Sequence, residues 1–243
     1  MTRCTDDQPR LPGTLITIDG PGGVGKSSAL AAAVELLTAA GLPVHGARQP
    51  SRAELGELAR HGTDTYHGMS LACLCAADRH HQLDMEIKPA LREGRIVLCD
   101  RYVASSLVLQ GLDGVSSQLV WQLNHGVYRP DLSLILIGDP EVINVRLRAR
   151  GGHSRFERAA DNSARESALY ACAVADLQDQ GWPVETSTAP PRASTWLLPG
   201  SCPSSTVPLA ERAWYVPEPD HRQRRRSLAC AGTPPARVAR RTS

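Results

Sequence analysis

Thr14-Leu-Ile-Thr-Ile-Asp-Gly-Pro-Gly-Gly-Val-Gly-Lys-Ser-Ser28 is the stretch from which the rest of the chain has to be read. Leu15 to Ile18 is a short apolar run suited to a strand. Gly20 to Gly25 is a glycine-rich turn, and Lys26-Ser27 opens an alanine-rich helical run. The pattern is GxxxxGKS, set between a strand and a helix. Glycines there let successive backbone N–H groups curl around phosphate oxygens, and the helix N-terminus adds about half a positive charge. Lys26 can reach terminal phosphates, and the Ser27 hydroxyl suits Mg²⁺. The bland alternative is a turn that holds no ligand, and the flanking strand and helix weigh against it.

The 243 residues fit one large domain, or one domain with a tail. Hydrophobic residues make up 42% of the chain but aromatic ones only 4%, and Phe156 is the sole phenylalanine, so Leu, Val, Ile and Ala are expected to build the interior. A net charge of +2 is too small to argue for a nucleic-acid partner. The seven cysteines are scattered without a CxxC pair, which suggests neither a disulfide framework nor a zinc site. Residues 1–10 lack an apolar leader segment, and no later apolar run approaches membrane-spanning length. A reducing cytoplasm is the expected compartment, with no membrane partner.

Downstream, Leu30, Val34 and Leu37 recur at helical spacing up to Gly41, and Pro43 to Ala47 reads as a second strand ending at Arg48-Gln-Pro50. Ser51 and Glu54 form an SxxE box that would cap a helix over 53–60, followed by a polar loop over 61–67. Residues 68–93 carry a long helical pattern with Leu71, Leu74, Cys75, Leu83, Ile87, Ala90 and Leu91 as its apolar stripe. Arg79 borders that stripe and needs an acceptor: a ligand, or a carboxylate such as Asp78 or Asp84. Ile96 to Cys99 suits a strand buried on both faces, with Asp100-Arg-Tyr102 at its carboxyl end, where open α/β sheets bind ligands.

Residues 103–109 and 116–127 read as helical, Leu132 to Ile137 as a further buried strand, and Pro140 to Arg148 as another helix. Arg146 to Arg158 is arginine-rich and broken by glycine. It reads as a lid that closes on a phosphate donor, or as an ordinary solvated turn. A helix over 159–180 and a last strand over 183–186 complete the ordered pattern. From Ala189 onward prolines, serines and arginines crowd together without periodicity, the signature of a disordered tail.

Taken in order from about Leu15 to Thr188, these residues resemble the thymidylate kinases, which are P-loop nucleoside monophosphate kinases. The resemblance rests on GPGGVGKSS, the Arg48-Gln-Pro turn, Cys75-Ala-Ala-Asp-Arg79, Ile87-Lys-Pro-Ala-Leu91, Asp100-Arg-Tyr-Val-Ala-Ser-Ser106, Gln110-Gly111, Arg129-Pro-Asp-Leu132 and Arg155-Phe-Glu157. It implies a three-layer α/β/α fold with a five-stranded parallel sheet over residues 13–188, an N-terminal extension over 1–12 and a tail over 189–243. It also implies transfer of the ATP γ-phosphate to a deoxynucleoside monophosphate, dTMP foremost, with Mg²⁺.

Carried over by position, the resemblance implies that Gly20, Pro21, Gly22, Gly23, Val24, Gly25, Lys26, Ser27 and Ser28 hold donor phosphates, with Lys26 on the moving group. Asp19 would lie near the acceptor sugar and phosphate, and Arg48 and Arg101 on the acceptor phosphate. Asp100 would join Ser27 at the metal. Arg79 would reach the base, with Ser106 and Gln110 lining its pocket, and Arg150 and Arg155 are the lid arginines. A homodimer through helices is implied, for which the apolar 71–91 stripe is a candidate surface.

Four departures stand out. Cys75 replaces a base-stacking phenylalanine, Leu109 replaces a tyrosine before Gln-Gly, and Arg-Gln-Pro replaces Arg-Glu-Pro. The helix expected after the last strand gives way to the Pro/Arg-rich tail, as a change of reading frame near Pro191 would produce. The first three lie on the acceptor side. A P-loop kinase for another nucleotide or small metabolite, and a nucleotide-binding protein without turnover, are therefore the rival readings.

Overall fold

The computed structural model describes residues 9–151, 154–158 and 162–188, the side chains of Arg150 and Asn162 excepted. The tail after residue 188, residues 1–8, and residues 152, 153 and 159–161 lie outside this set.

β1 (Thr14–Asp19) runs into the glycine turn, and α1 (Lys26–Ala39) leaves it. β2 (Val44–Arg48) and α2 (Glu54–His61) follow. α3 (Gly68–Gln82) passes through a π-helical turn at Leu83–Ile87 into α4 (Lys88–Arg92). β3 (Ile96–Asp100) leads to α5 (Val103–Leu112) and α6 (Ser117–Leu123). β4 (Leu132–Ile137) leads to α7 (Pro140–Arg150), α8 (Arg155–Arg158), α9 (Asn162–Asp179) and β5 (Val184–Thr188).

The strands form one parallel sheet in the order β2-β3-β1-β4-β5. Parallel neighbours need crossover segments, which become helices covering the faces, so central strands are apolar on both sides. Val97, Leu98 and Cys99 are fully buried accordingly. The register sets Arg48 opposite Asp100 and Asp100 opposite Ile18. The carboxyl ends of β2, β3 and β1 therefore come level, and the polar residues that follow the apolar runs gather at one edge.

One core cluster joins Leu15, Val97 and Cys99 to Leu91, Val103 and Leu177, and a second joins Ile18, Leu136 and Ile143. Aliphatic residues dominate both, as composition predicts, but the few aromatic ones also serve the interior. Trp182 sits 5.4 Å from Trp121 and 6.1 Å from Tyr102, ring centre to ring centre. Part of the expected extension also belongs to the domain: Leu11 packs on the first cluster and its N–H donates to the Tyr128 hydroxyl.

Several local expectations change. Ser51 caps nothing at Glu54: α2 begins with Ala53 as its N-cap, and Ser51 is buried, donating through both its N–H and hydroxyl to Asp78. A buried carboxylate competes better for that serine than a helix end in water does. The reciprocal box lies instead at His67 and Ser70, at the start of α3. The 61–67 loop contains the end of α2 and a 3₁₀ turn at Gly62–Asp64. The stripe of Leu71, Leu83, Ile87, Ala90 and Leu91 is buried within the chain's own core, so it is not a surface that a second copy could cover.

Candidate active site

An open cavity of about 1050 Å³ lies at the carboxyl ends of the strands, with the glycine turn at one end and residues of α3 and α5 at the other. Gly20 leaves β1 at φ 144, and a Cβ there would stand 2.5 Å from the Leu136 carbonyl oxygen, so only glycine lets the turn start so close to β4. The turn then feeds α1 directly, which aims that helix's N-terminus into the cavity.

Lys26 is buried at this helix start, its Nζ donating to the carbonyls of Gly20 and Pro21 at 2.7 Å each. Burial, with the Arg101 guanidinium beside it, pulls its pKa down to about 7, and Asp100, Glu166 and Asp19 only partly offset this. A polyphosphate beside that amine would restore its charge. Ser27 Oγ donates to Asp100 Oδ2 at 2.7 Å, while Asp100 Oδ1 is buried with no hydrogen-bond partner. One hydroxyl and one carboxylate, with an oxygen to spare, fit the donor set of a Mg²⁺ completed by phosphates and water. Among the described residues no cluster of three or more His, Cys, Asp or Glu side chains could hold a metal without a substrate.

Asp19 is fully buried at the end of β1. Its Oδ1 accepts from the N–H groups of Tyr102 and Ser105 at 2.9 and 3.0 Å and from the Ser105 hydroxyl, whereas Oδ2 has no partner. Burial pushes its pKa up, and the Ser105 and Tyr102 hydrogen bonds with Arg101 oppose the shift. Ser105 is in turn 3.0 Å from the Tyr170 hydroxyl on α9. Arg101 takes φ 72, the one non-glycine residue with positive φ among those described, which costs about 1–2 kcal/mol. Burial works against its charge, yet the acids around it, Tyr170, Asp100, Glu166 and Asp19, hold its pKa up.

The other end of the cavity is mixed. Arg79 is buried, but neither Asp78 nor Asp84 is its partner. It donates to Gln49 Oε1 and Ser106 Oγ at 2.7 Å each, to the Tyr102 carbonyl at 3.2 Å, and to Asn124 Oδ1. All four acceptors are neutral, so no carboxylate among its hydrogen-bond partners offsets the charge of a guanidinium that lines the cavity. Gln110 Oε1 and Gln49 Nε2 are buried without partners beside it. Cys75, Leu71, Leu109 and Phe156 supply apolar wall. Burial raises the Cys75 thiol to about 11, so it is a neutral wall residue. Arg48 also lines the cavity, exposed and with no ion pair among the described residues.

Arg155, expected to approach the donor phosphates, does not line the cavity. Its guanidinium pairs with both oxygens of Asp113, donates to the Thr63 carbonyl, and lies 4.2 Å from the centre of the Phe156 ring. The donor-side arginine among the described residues is Arg146, which reaches the Val24 carbonyl. The Arg150 side chain lies outside the described residues. Sequence reasoning gave no role to Ser105, Asn124, Tyr170 or Glu166. Ser105 stands within the Asp100–Ser106 motif, and Glu166 and Tyr170 left a trace as two polar residues four apart in an alanine-rich helical run.

The thymidylate kinase family model matches residues 18–194. A protein of Synechococcus sp. named thymidylate kinase is 34% identical over 228 residues, spanning 90% of this chain and 99% of its own length. One of Rhizorhabdus wittichii with the same name is 33% identical over 211 residues, covering 78% of this chain and all of its own. A probable thymidylate kinase of Pyrobaculum aerophilum is 35% identical over 175 residues, covering 70% and 85%. With its phosphate turn, parallel sheet and Asp100-Arg-Tyr end arranged as described, the chain belongs to the thymidylate kinase family.

Proposed function

We propose that this protein transfers the γ-phosphoryl group of ATP to dTMP, giving ADP and dTDP. The observation that carries the reading is the Ser27–Asp100 pair beside the buried Lys26, at the mouth of a helix that begins inside a glycine turn. In phosphoryl transfer the protein aligns two anions and neutralises charge that spreads over the moving group, so no covalent nucleophile is required. The turn from Gly20 to Ser28 holds the donor phosphates by backbone N–H groups, and Lys26 follows the charge as it moves. Ser27 and Asp100 would hold the Mg²⁺ that arrives with the nucleotide, which would supply charge neutralisation on its phosphates.

On the acceptor side, Arg48 and Arg101 face the monophosphate and Asp19 fixes the backbone from which Arg101 projects. Arg79 donates to the base carbonyl, Ser106 and Gln110 set its edge, and Cys75 and Phe156 line its faces. Arg155 acts here as a positioning group for Phe156 through Asp113, and Arg150 remains a lid arginine. Among the described residues no helix is long and apolar enough to cross a membrane. We take the protein to be a cytoplasmic homodimer acting on small molecules, without nucleic-acid or membrane partners, and its dimer face lies outside the internal 71–91 stripe.

An ADP-release assay across dTMP, dUMP and the other monophosphates tests this directly. Turnover preferring dTMP is the expected result. Turnover preferring another acceptor, or ATP binding with no turnover, would give the site to one of the rival readings.

A further inference from the structure

Two carboxylates that the reaction does not use close on the phosphate turn at Gly22. Glu166, from α9 and only 3% exposed, accepts the Gly22 N–H through both oxygens at 3.2 and 3.3 Å. Glu157, from α8, also abuts Gly22: a Cβ added there would stand 2.9 Å from its Cγ and Oε1. Backbone N–H groups of a glycine turn at a helix start attract anions, and the carboxylate that accepts the Gly22 N–H here is the protein's own. Charge around it is arranged to suit: Lys26 and Arg101 both act on Glu166. Burial pushes the Glu166 pKa up and Glu157 adds to that, while Arg101 and Lys26 oppose.

Resting on the reading of this turn as the nucleotide site, we propose that Glu166, flanked by Glu157, is an internal anion that competes with the incoming polyphosphate for the Gly22 end of the turn and so sets the nucleotide affinity. It offsets part of the positive charge of Lys26 and Arg101 before a nucleotide arrives. A polyphosphate arriving there takes over those cations and meets two negative charges in a water-poor corner, where Coulomb terms are several-fold larger than in bulk water. The affinity is thereby held below what the turn and lysine alone would give. Glu166 also sits one helical turn before Tyr170, whose hydroxyl meets Ser105 and through it Asp19, so one face of α9 addresses both the donor turn and the acceptor side.

The test uses the full chain and isothermal titration with Mg·ATP and with inorganic tripolyphosphate. Glu166→Gln keeps the shape and an oxygen for Gly22 but removes the charge. About tenfold tighter binding of both probes is expected, with a smaller tightening for Glu157→Gln. A purely structural tether predicts the reverse: unchanged binding in Glu166→Gln, and weaker binding in Glu166→Ala. Unchanged or weaker binding in Glu166→Gln overturns the inference. If circular dichroism shows that variant unfolded, the sign of the Glu157→Gln effect decides by the same rule. Failure of the unmodified protein to bind either probe would instead overturn the nucleotide-site reading.

Discussion

Ser27 and Asp100, 73 positions apart, meet at 2.7 Å because β1 and β3 are neighbours in register and each ends at the same level. The contact joins the phosphate turn to the end of β3, whose carboxylate keeps a second oxygen without a hydrogen-bond partner. Asp100→Asn keeps the size and one acceptor but loses the charge that holds a divalent ion. It is expected to lower kcat by about a hundredfold or more, the usual scale for losing a charge-stabilising contact in a transition state, and to raise the Mg²⁺ concentration needed for half activity. Steady-state rates across a Mg²⁺ titration check this, and an unchanged Mg²⁺ dependence would remove Asp100 from the metal.

Arg79 spends its hydrogen bonds on neutral groups, and its charge is therefore available to a ligand carbonyl. Arg79→Ala is expected to raise the dTMP KM by about tenfold or more, the worth of a charge-assisted hydrogen bond, while the ATP KM changes far less. Equal effects on the two KM values would count against its place at the base. The same change strands Gln49, Ser106 and Asn124, so a lower melting temperature accompanies it.

Lys26 yields a pH dependence. Its pKa is lowered to about 7 by burial and by Arg101, so the free enzyme carries the charge below that value and loses it as pH rises through it. Bound phosphates favour the charged form. Thus kcat/KM for ATP is expected to fall as pH rises past about 7, whereas kcat, which reports the complex, falls only at higher pH. A flat kcat/KM profile across that range would contradict the assignment.

Asp113 holds Arg155, and Arg155 lies over Phe156, which faces the cavity beside Cys75. Phe156→Leu, which preserves most of the packing, is expected to raise the dTMP KM by roughly five- to tenfold, since an aromatic face on a base is worth about 1–3 kcal/mol. Asp113→Asn should move the same constant in the same direction by a smaller factor. A loss confined to kcat or to the ATP KM would return Arg155 to the donor phosphates.

The parts legible in the sequence are those whose meaning is local. GxxxxGKS carries its strand and helix with it, and Asp100 follows an apolar run long enough to be a buried strand. Arg79 was legible as a residue in need of acceptors but not as to which, because Gln49, Asn124 and Tyr102 arrive from three separate segments. Ser51 misled for a related reason: its capping pattern is local, but Asp78, 27 positions later, takes it. Glu166 was hidden because α9 reads as an ordinary alanine-rich helix until packing sets its polar pair against the phosphate turn.

Transfer of a terminal ³²P label from Mg·ATP to dTMP tests the central claim most directly. The account predicts label in the β-position of dTDP, with ADP formed in equal amount. Label recovered only as inorganic phosphate, label retained in ATP, or label passed to another monophosphate in preference to dTMP would contradict it.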